Sequence, residues 1–390
     1  RLKHISHFIQ IPKNIIIKKC VYIYNDPLHA IYSHFRRKWH IKQIAKLGNP
    51  YKLELQESTT FEDYLKIIVE KKKDLFGIKN HIDNWINNIP SFPIYFIDFL
   101  DILSEKESLC NFLQINKNSF DKFIYKSRSK MPDYTNNYLD VVNMYSKIYE
   151  NTKIKVKLTK KYRMTLKEWL EYPIPIDEIL YNSSLDQEDK KKFKLPDDGL
   201  IKEPIGVSLA LERKILETMN NHINNKNINN ILFFSAFRTG TDEIKRRKGD
   251  ELTRVKFKDI LLKNGYVTKG KHGSEYIKHL CQSKFTPSPE GNGIDCHRHW
   301  EALYCKCIPI VEDNELIKPK LHNLPVLYTK DYSEINNDYL NSVYNTMLDK
   351  VYDFSALFLS SYSEESQKNI IKRSKFWCST RNKPQFYTNK

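Results

Sequence analysis

Long apolar runs are missing from this chain of 390 residues, and none reaches the roughly 18 apolar residues that a membrane span needs. No internal repeat marks it, and no signature of an RNA- or DNA-binding module stands out, so no specific nucleic-acid partner is expected. Cysteine is sparse: seven residues, odd in number and irregularly placed, argue against a disulfide framework and for a reducing compartment. The first residue is Arg1 and not Met, which leaves room upstream for a signal or an anchor.

What is present fits a folded chain. The apolar share is 40% and the aromatic share 13%, well above what a disordered chain carries, and the length suits two globular units. The formal charge is +17. Lys, Asn and Ile recur almost everywhere, as in "NNHINNKNINN", a bias toward A/T-rich codons. Two readings stand side by side: a solvated lysine surface, and a field that draws in an anionic substrate.

The periodicity predicts alternating strands and helices. "IIIKKCVYIYNDP" is a β-branched strand stopped by Asp26-Pro27, and "LHAIYSHFRRKWHIKQIAKL" follows with helical apolar spacing at Ile31, Phe35 and Trp39. "TTFEDYLKIIVEKKKDLFG" reads as a helix with a Thr N-cap, Glu62 in its first turn and a stop at Gly77. "FPIYFIDFLDILSEKESLCNFLQI" reads as a short buried strand and an amphipathic helix. Residues 161–194 read as a linker and helical segment, which separates a unit over 1–160 from one over 195–390. In the second unit "GVSLALERKILETMNNHI" is a helix and "NNILFFSAF" a strand. "DELTRVKFKDILLKNG" and "GSEYIKHLCQS" are helices, "KFTPSP" a strand, "CHRHWEALYCKC" a helix, and "IPIVED" and "LPVLYT" strands. Such alternation implies an α/β fold with a mainly parallel sheet and ligands at the carboxyl ends of its strands.

The most informative stretch is "SPEGNGIDCHRHWEAL", residues 288–303. Gly291 and Gly293, with Asn292 between them, let backbone approach a ligand, and the helix start beyond them offers unpaired N–H groups to an anion. Arg298 lies in the first helical turn with a planar fork suited to a diphosphate, and Glu301 one turn on can accept from ribose hydroxyls. The plainer reading has Gly and Asn making the turn, Arg298 on the surface and Glu301 facing the helix dipole. A zinc site would gather Cys296, His297, His299, Cys305 and Cys307. Cys305 and Cys307, two apart at a helix end, point to different faces, so buried small cysteines account for them better.

The run "SKFTPSPEGNGIDCHRHWEALYCKCIPIVEDN", followed by "LHNLPVLYTKDYSEI", resembles the exostosin-like glycosyltransferases, including those of large DNA viruses and algae, over roughly residues 195–345. The resemblance implies a Rossmann-like, nucleotide-sugar-binding half of a GT-B enzyme. It would use a UDP-sugar or similar donor and a glycan or glycoprotein acceptor. On it, Gly291, Asn292 and Gly293 frame the diphosphate loop, Arg298 binds phosphate and Glu301 holds the ribose. Upstream, "FFSAFRTGTDEIKRRKGDELTR" resembles the strand-loop-helix facing the same cleft. Arg238, Thr239, Thr241 and Arg254 are candidate contacts to donor phosphates, while Arg246 and Arg247 read as surface charge. Cys305 and Lys306 stand where such families carry an apolar residue and a glycine. No metal is expected: no D-x-D triplet occurs in this half, and helix dipoles and basic side chains can offset the leaving diphosphate. Asp295, Glu290 and Asp313 are the candidates for the catalytic base.

"VYIYNDPLHAIYSHFRR" resembles the sulfotransferases, in which a strand-end Arg and a later Ser hold the 3′-phosphate of phosphoadenosine phosphosulfate. Ser33 and Asp26-Pro27 match that pattern, and Asn25 replaces the Arg. The resemblance covers roughly residues 15–117 and implies a P-loop-type α/β region. The segment that cradles the 5′-phosphosulfate would precede His4, and Arg36 and Arg37 are candidate substitutes for the missing charge. The combined expectation is a glycosyltransferase fused to a sulfotransferase-like region. Its rivals are a sulfotransferase acting on glycans and a non-catalytic basic glycan-binding protein. Reduced cysteines suit the cytoplasm, whereas glycan chemistry suits a Golgi-like lumen.

Overall fold

The computed structural model describes residues 17–46, 55–89, 92–116, 118, 131–180, 206–207, 217, 219–221, 228–242, 252–270, 273–291 and 293–380. The chain divides into two compact units, Arg1–Lys161 and Tyr162–Lys390. Both are built on parallel strand pairing with helices, so the fold is α/β. Among the described residues, no helix is long and apolar enough to cross a membrane.

In the first unit, β1 (Cys20–Tyr24) lies parallel to β2 (Ile94–Asp98), with Tyr24 opposite Asp98 at their carboxyl ends. Asp26 ends β1 and starts α1 (Pro27–Arg36): its carboxylate accepts from the N–H groups of Leu28 at 2.8 Å and His29 at 3.1 Å, and Pro27 occupies the first helical position. Leu28, Ile31 and Phe35 form the buried stripe of α1. They pack with residues of α3 (Phe61–Lys71) and with Val141 and Tyr145 of α6 (Thr135–Tyr162). α2 (His40–Lys46) adds Ile44 to this cluster. The second helix departs from expectation at its end. α3 stops at Lys71, where Lys72 turns left-handed at φ 50°, and Gly77, at φ 74°, instead begins α4 (Ile78–Asn87). Asp74 makes that turn by accepting from the N–H groups of Gly77 at 3.1 Å and Lys79 at 2.9 Å. α5 (Lys106–Leu113) completes the described helices of the unit.

In the second unit, a four-stranded parallel sheet has the order β4 (Ile231–Phe233), β5 (Ser283–Pro287), β6 (Ile308–Glu312), β7 (Leu327–Thr329). α8 (Arg254–Lys263) and α9 (Gly273–Gln282) lie between β4 and β5 along the chain, and α10 (His297–Tyr304) lies between β5 and β6. Because the strands are parallel and in chain order, the loops leaving β4, β5, β6 and β7 share one rim of the sheet. The described part of the segment read as a linker is structured. β3 (Arg163–Thr165) pairs antiparallel with β8 (Val351–Asp353), and α7 (Leu166–Glu171) sets Trp169 against Phe354 with ring centres 4.2 Å apart. α11 (Asn337–Leu348) and α12 (Glu364–Thr380) complete the unit. The helix read over "GVSLALERKILETMNNHI" falls largely outside the described residues.

Candidate functional site: a basic cavity on the sheet rim

A cavity of about 450 Å3 opens where the chain leaves β4. Two segments form it. Residues 237–241 follow the strand, and residues 268–270 run beside them, held by the Lys269 N–H donating to the Ser235 carbonyl at 2.9 Å and by a 2.9 Å bond between the Ser235 and Thr268 hydroxyls. Three cations, Arg238, Lys258 and Lys269, and three hydroxyls, Thr239, Thr241 and Thr268, line it, and among the described residues no carboxylate is in the lining. Gly240 and Gly270 keep its walls low. Phe237, the one aromatic in the lining, stacks at 5.0 Å on Phe257, which contacts Tyr332 at 3.7 Å. Cations and hydroxyl donors without a competing carboxylate suit an anion with several oxygens, such as a phosphate or a diphosphate.

The candidate donor contacts fall into two groups. Arg238, Thr239 and Thr241 line the cavity. Arg254 does not: it is 6% exposed, and its guanidinium is taken up by protein. It donates to the carbonyls of Arg238 at 3.1 Å, Pro289 at 2.8 Å and Glu290 at 2.9 Å, and to the Thr241 hydroxyl. Its own N–H donates to Asp242 at 2.7 Å. With four acceptors met by protein, Arg254 ties the cavity loop to the loop after β5 instead of facing a ligand. Lys258, Thr268, Lys269 and Gly270 lacked any sequence signal, since one lysine among 64 basic residues is indistinguishable from the next.

The glycine loop is packed, not open. Gly291 is required by space: a Cβ there would stand 3.0 Å from both Arg254 Nη2 and the Thr241 carbonyl oxygen. Gly293 is exposed and has no such constraint, and Asn292 lies outside the described residues, as do Arg246 and Arg247. His299 locks the loop from beneath. It is fully buried, with Nε2 donating to the Ile294 carbonyl at 3.1 Å and Nδ1 accepting from the Ser288 hydroxyl at 2.6 Å. Burial, foremost, lowers its pKa to about 4, so the ring is neutral in this role. Cys296 turns its thiol to the Gly293 carbonyl at 3.3 Å, and burial pushes that thiol up. His297 bonds the Gly206 carbonyl at 2.8 Å.

Arg298 and Glu301 face inward rather than into the cavity. Arg298 is half-buried, with its guanidinium beside the Tyr276 hydroxyl, which donates to Glu301 at 3.2 Å. Glu301 is 6% exposed. His299 to Tyr304 are all buried, so this part of α10 is enclosed on every side and Glu301 with it. Among the described residues, no group of three or more His, Cys, Asp or Glu converges as a metal site. Cys305 and Cys307 are buried at the end of α10.

The three base candidates also differ. Asp295 accepts from Trp300 Nε1 at 2.8 Å and pairs with Lys320 at 2.8 Å, and Asp313 pairs with Lys318. Glu290 is 4% exposed on the rim, accepting from Asn314 Nδ2 at 2.6 Å, while its N–H donates to Glu312 at 3.1 Å.

The first unit has the opposite electrostatics at the carboxyl ends of its strands. Asp98 is 4% exposed and accepts from Tyr149 at 2.5 Å. The Tyr24 hydroxyl is pushed above its usual range by burial first and then by Asp98, Asp101 and Glu105. Asp26 is committed to capping α1, Ser33 and Asn25 are half-buried, and Arg36 and Arg37 are exposed, with Arg37 over the Trp39 ring at 5.5 Å. No protein-family model matches the chain, and no curated protein matches it.

Proposed function

We propose that the chain is a glycosyltransferase that moves a sugar from a nucleotide-sugar donor, a UDP-sugar in the first instance, to a hydroxyl of a glycan or glycoprotein. The observation that supports this most is the cluster of Arg238, Lys258 and Lys269, with three hydroxyls, in a cavity at the carboxyl end of a parallel strand. Bond breaking at the anomeric carbon leaves a nucleoside diphosphate, and fixed positive charge favours the transition state in which that charge develops. Thr239, Thr241 and Thr268 supply hydroxyl donors to the phosphate oxygens. Of the three carboxylates considered as base, Glu290 is the one whose loop Arg254 joins to the cavity loop, through the Pro289 and Glu290 carbonyls.

Thermal shift of the whole chain with UDP, UDP-sugars and adenosine 3′,5′-bisphosphate tests this, followed by a donor screen read by mass spectrometry. Stabilisation by UDP-sugars and a glycosylated product are expected. Stabilisation by the bisphosphate alone would move the activity to a sulfotransferase reaction in the first unit. Salt-sensitive polyanion binding with no nucleotide response would leave a non-catalytic glycan-binding protein.

A further inference from the structure

Arg254 joins two loops that have different tasks. One arm of its guanidinium, Nη1, reaches the Arg238 carbonyl and the Thr241 hydroxyl, both on the cavity loop. The rest reaches the carbonyls of Pro289 and Glu290, on the loop that carries the base candidate Glu290. Gly291 closes the joint: a Cβ there would stand 3.0 Å from both Arg254 Nη2 and the Thr241 carbonyl oxygen, a tight fit. The guanidinium is planar and rigid, so a shift of its acceptors on one loop carries to its acceptors on the other. Thr241 is the movable part. Its hydroxyl donates to the Arg238 carbonyl at 3.4 Å, a long bond that a phosphate oxygen in the cavity would outcompete.

We propose that Arg254 is a positioning residue that passes occupancy of the anion cavity to the Glu290 loop, so that a bound diphosphate sets the position of that carboxylate. This rests on the reading of the cavity as a phosphate site. Cys296 is a reporter independent of turnover, because its thiol lies 3.8 Å from the same Pro289 carbonyl that Arg254 holds.

The full chain is treated with iodoacetamide with and without saturating pyrophosphate, and the Cys296 peptide is quantified by mass spectrometry while calorimetry measures pyrophosphate binding. The wild type should show a change in Cys296 labelling rate of about fivefold on binding, in the range of ordinary coupling between sites. Arg254→Lys keeps the charge but cannot span four acceptors, and it should bind pyrophosphate with little change in labelling. Gly291→Ala, whose added Cβ crowds the Arg254 guanidinium and the Thr241 carbonyl oxygen but leaves every lining side chain in place, should behave alike and serves if Arg254→Lys does not fold. Pyrophosphate that binds the wild type without altering Cys296, or that alters it equally in the variants, overturns the coupling and leaves the cavity reading intact. Absence of pyrophosphate binding removes the phosphate site and the coupling with it.

Discussion

The Lys306 amine stands 3.2 Å from the centre of the Trp169 ring, and it also donates to the Tyr172 carbonyl at 2.8 Å. The residue is 2% exposed, and its backbone is left-handed at φ 63°, the conformation that glycine adopts most readily. Burial works against the ammonium and lowers its pKa, whereas the ring face and the carbonyl favour it. Lys306→Gly relieves the backbone by about 1 kcal/mol but forfeits a desolvated cation–π contact and a hydrogen bond, a net loss of about 2 kcal/mol. Urea unfolding measures it, and Lys306→Met, which keeps the stem and removes the buried charge, should fall between.

His299 makes stability depend on acid. Its folded pKa, about 4, lies below the 6.5 of an unperturbed histidine, so the unfolded chain binds the proton more tightly. The contribution is complete above about pH 6.5 and is lost as pH falls toward 4, amounting to about 3 kcal/mol. Urea midpoints across that window should fall more steeply for the wild type than for His299→Gln, which is less stable at neutral pH but lacks this titration.

Arg298 behaves as part of the interior. Its removal leaves the Tyr276–Glu301 bond buried without its cation. Arg298→Ala should therefore destabilise the second unit by about 2 kcal/mol, detectable as a lower melting temperature in the absence of any ligand. A variant with unchanged melting and a selective loss of nucleotide binding would return Arg298 to the ligand.

The cavity cations should show themselves in binding. Arg238→Ala and Lys269→Ala each remove one charge-assisted contact, worth about tenfold in pyrophosphate affinity by calorimetry. Because Arg238, Lys258 and Lys269 are exposed, the difference should shrink at high ionic strength. Arg36→Ala, on an exposed arginine of the first unit, should leave the affinity unchanged.

Local patterning made the elements of the second unit legible. β-Branched runs such as "IPIVE" alternate with helices, one of which starts at Arg254 behind the cap Thr253, inside the stretch read as helical. Gly77 misled because a glycine serves either end of a helix, and which end depends on the Asp74 turn that Gly77 and Lys79 close. The rim was legible as a place, since parallel strands gather their loops there. The roles on it were not. Arg238 and Arg254 look alike in sequence, and only folding brings the carbonyls of Pro289 and Glu290 to one of them. Lys258 and Lys269 join the cavity from residues distant along the chain, amid lysines that do nothing comparable.

The pairing of β3 with β8 has a consequence for how the chain is made. Arg163 bonds Asp353 at 3.2 Å across a separation of 190 residues, and Trp169 finds Phe354 over a similar span. A growing polypeptide exposes β3 and α7 long before their partners leave the ribosome, and closing so wide a loop is entropically slow. During synthesis, Leu166 and Trp169, both buried in the finished protein, remain open to chaperones and to misassembly until almost the whole second unit has emerged.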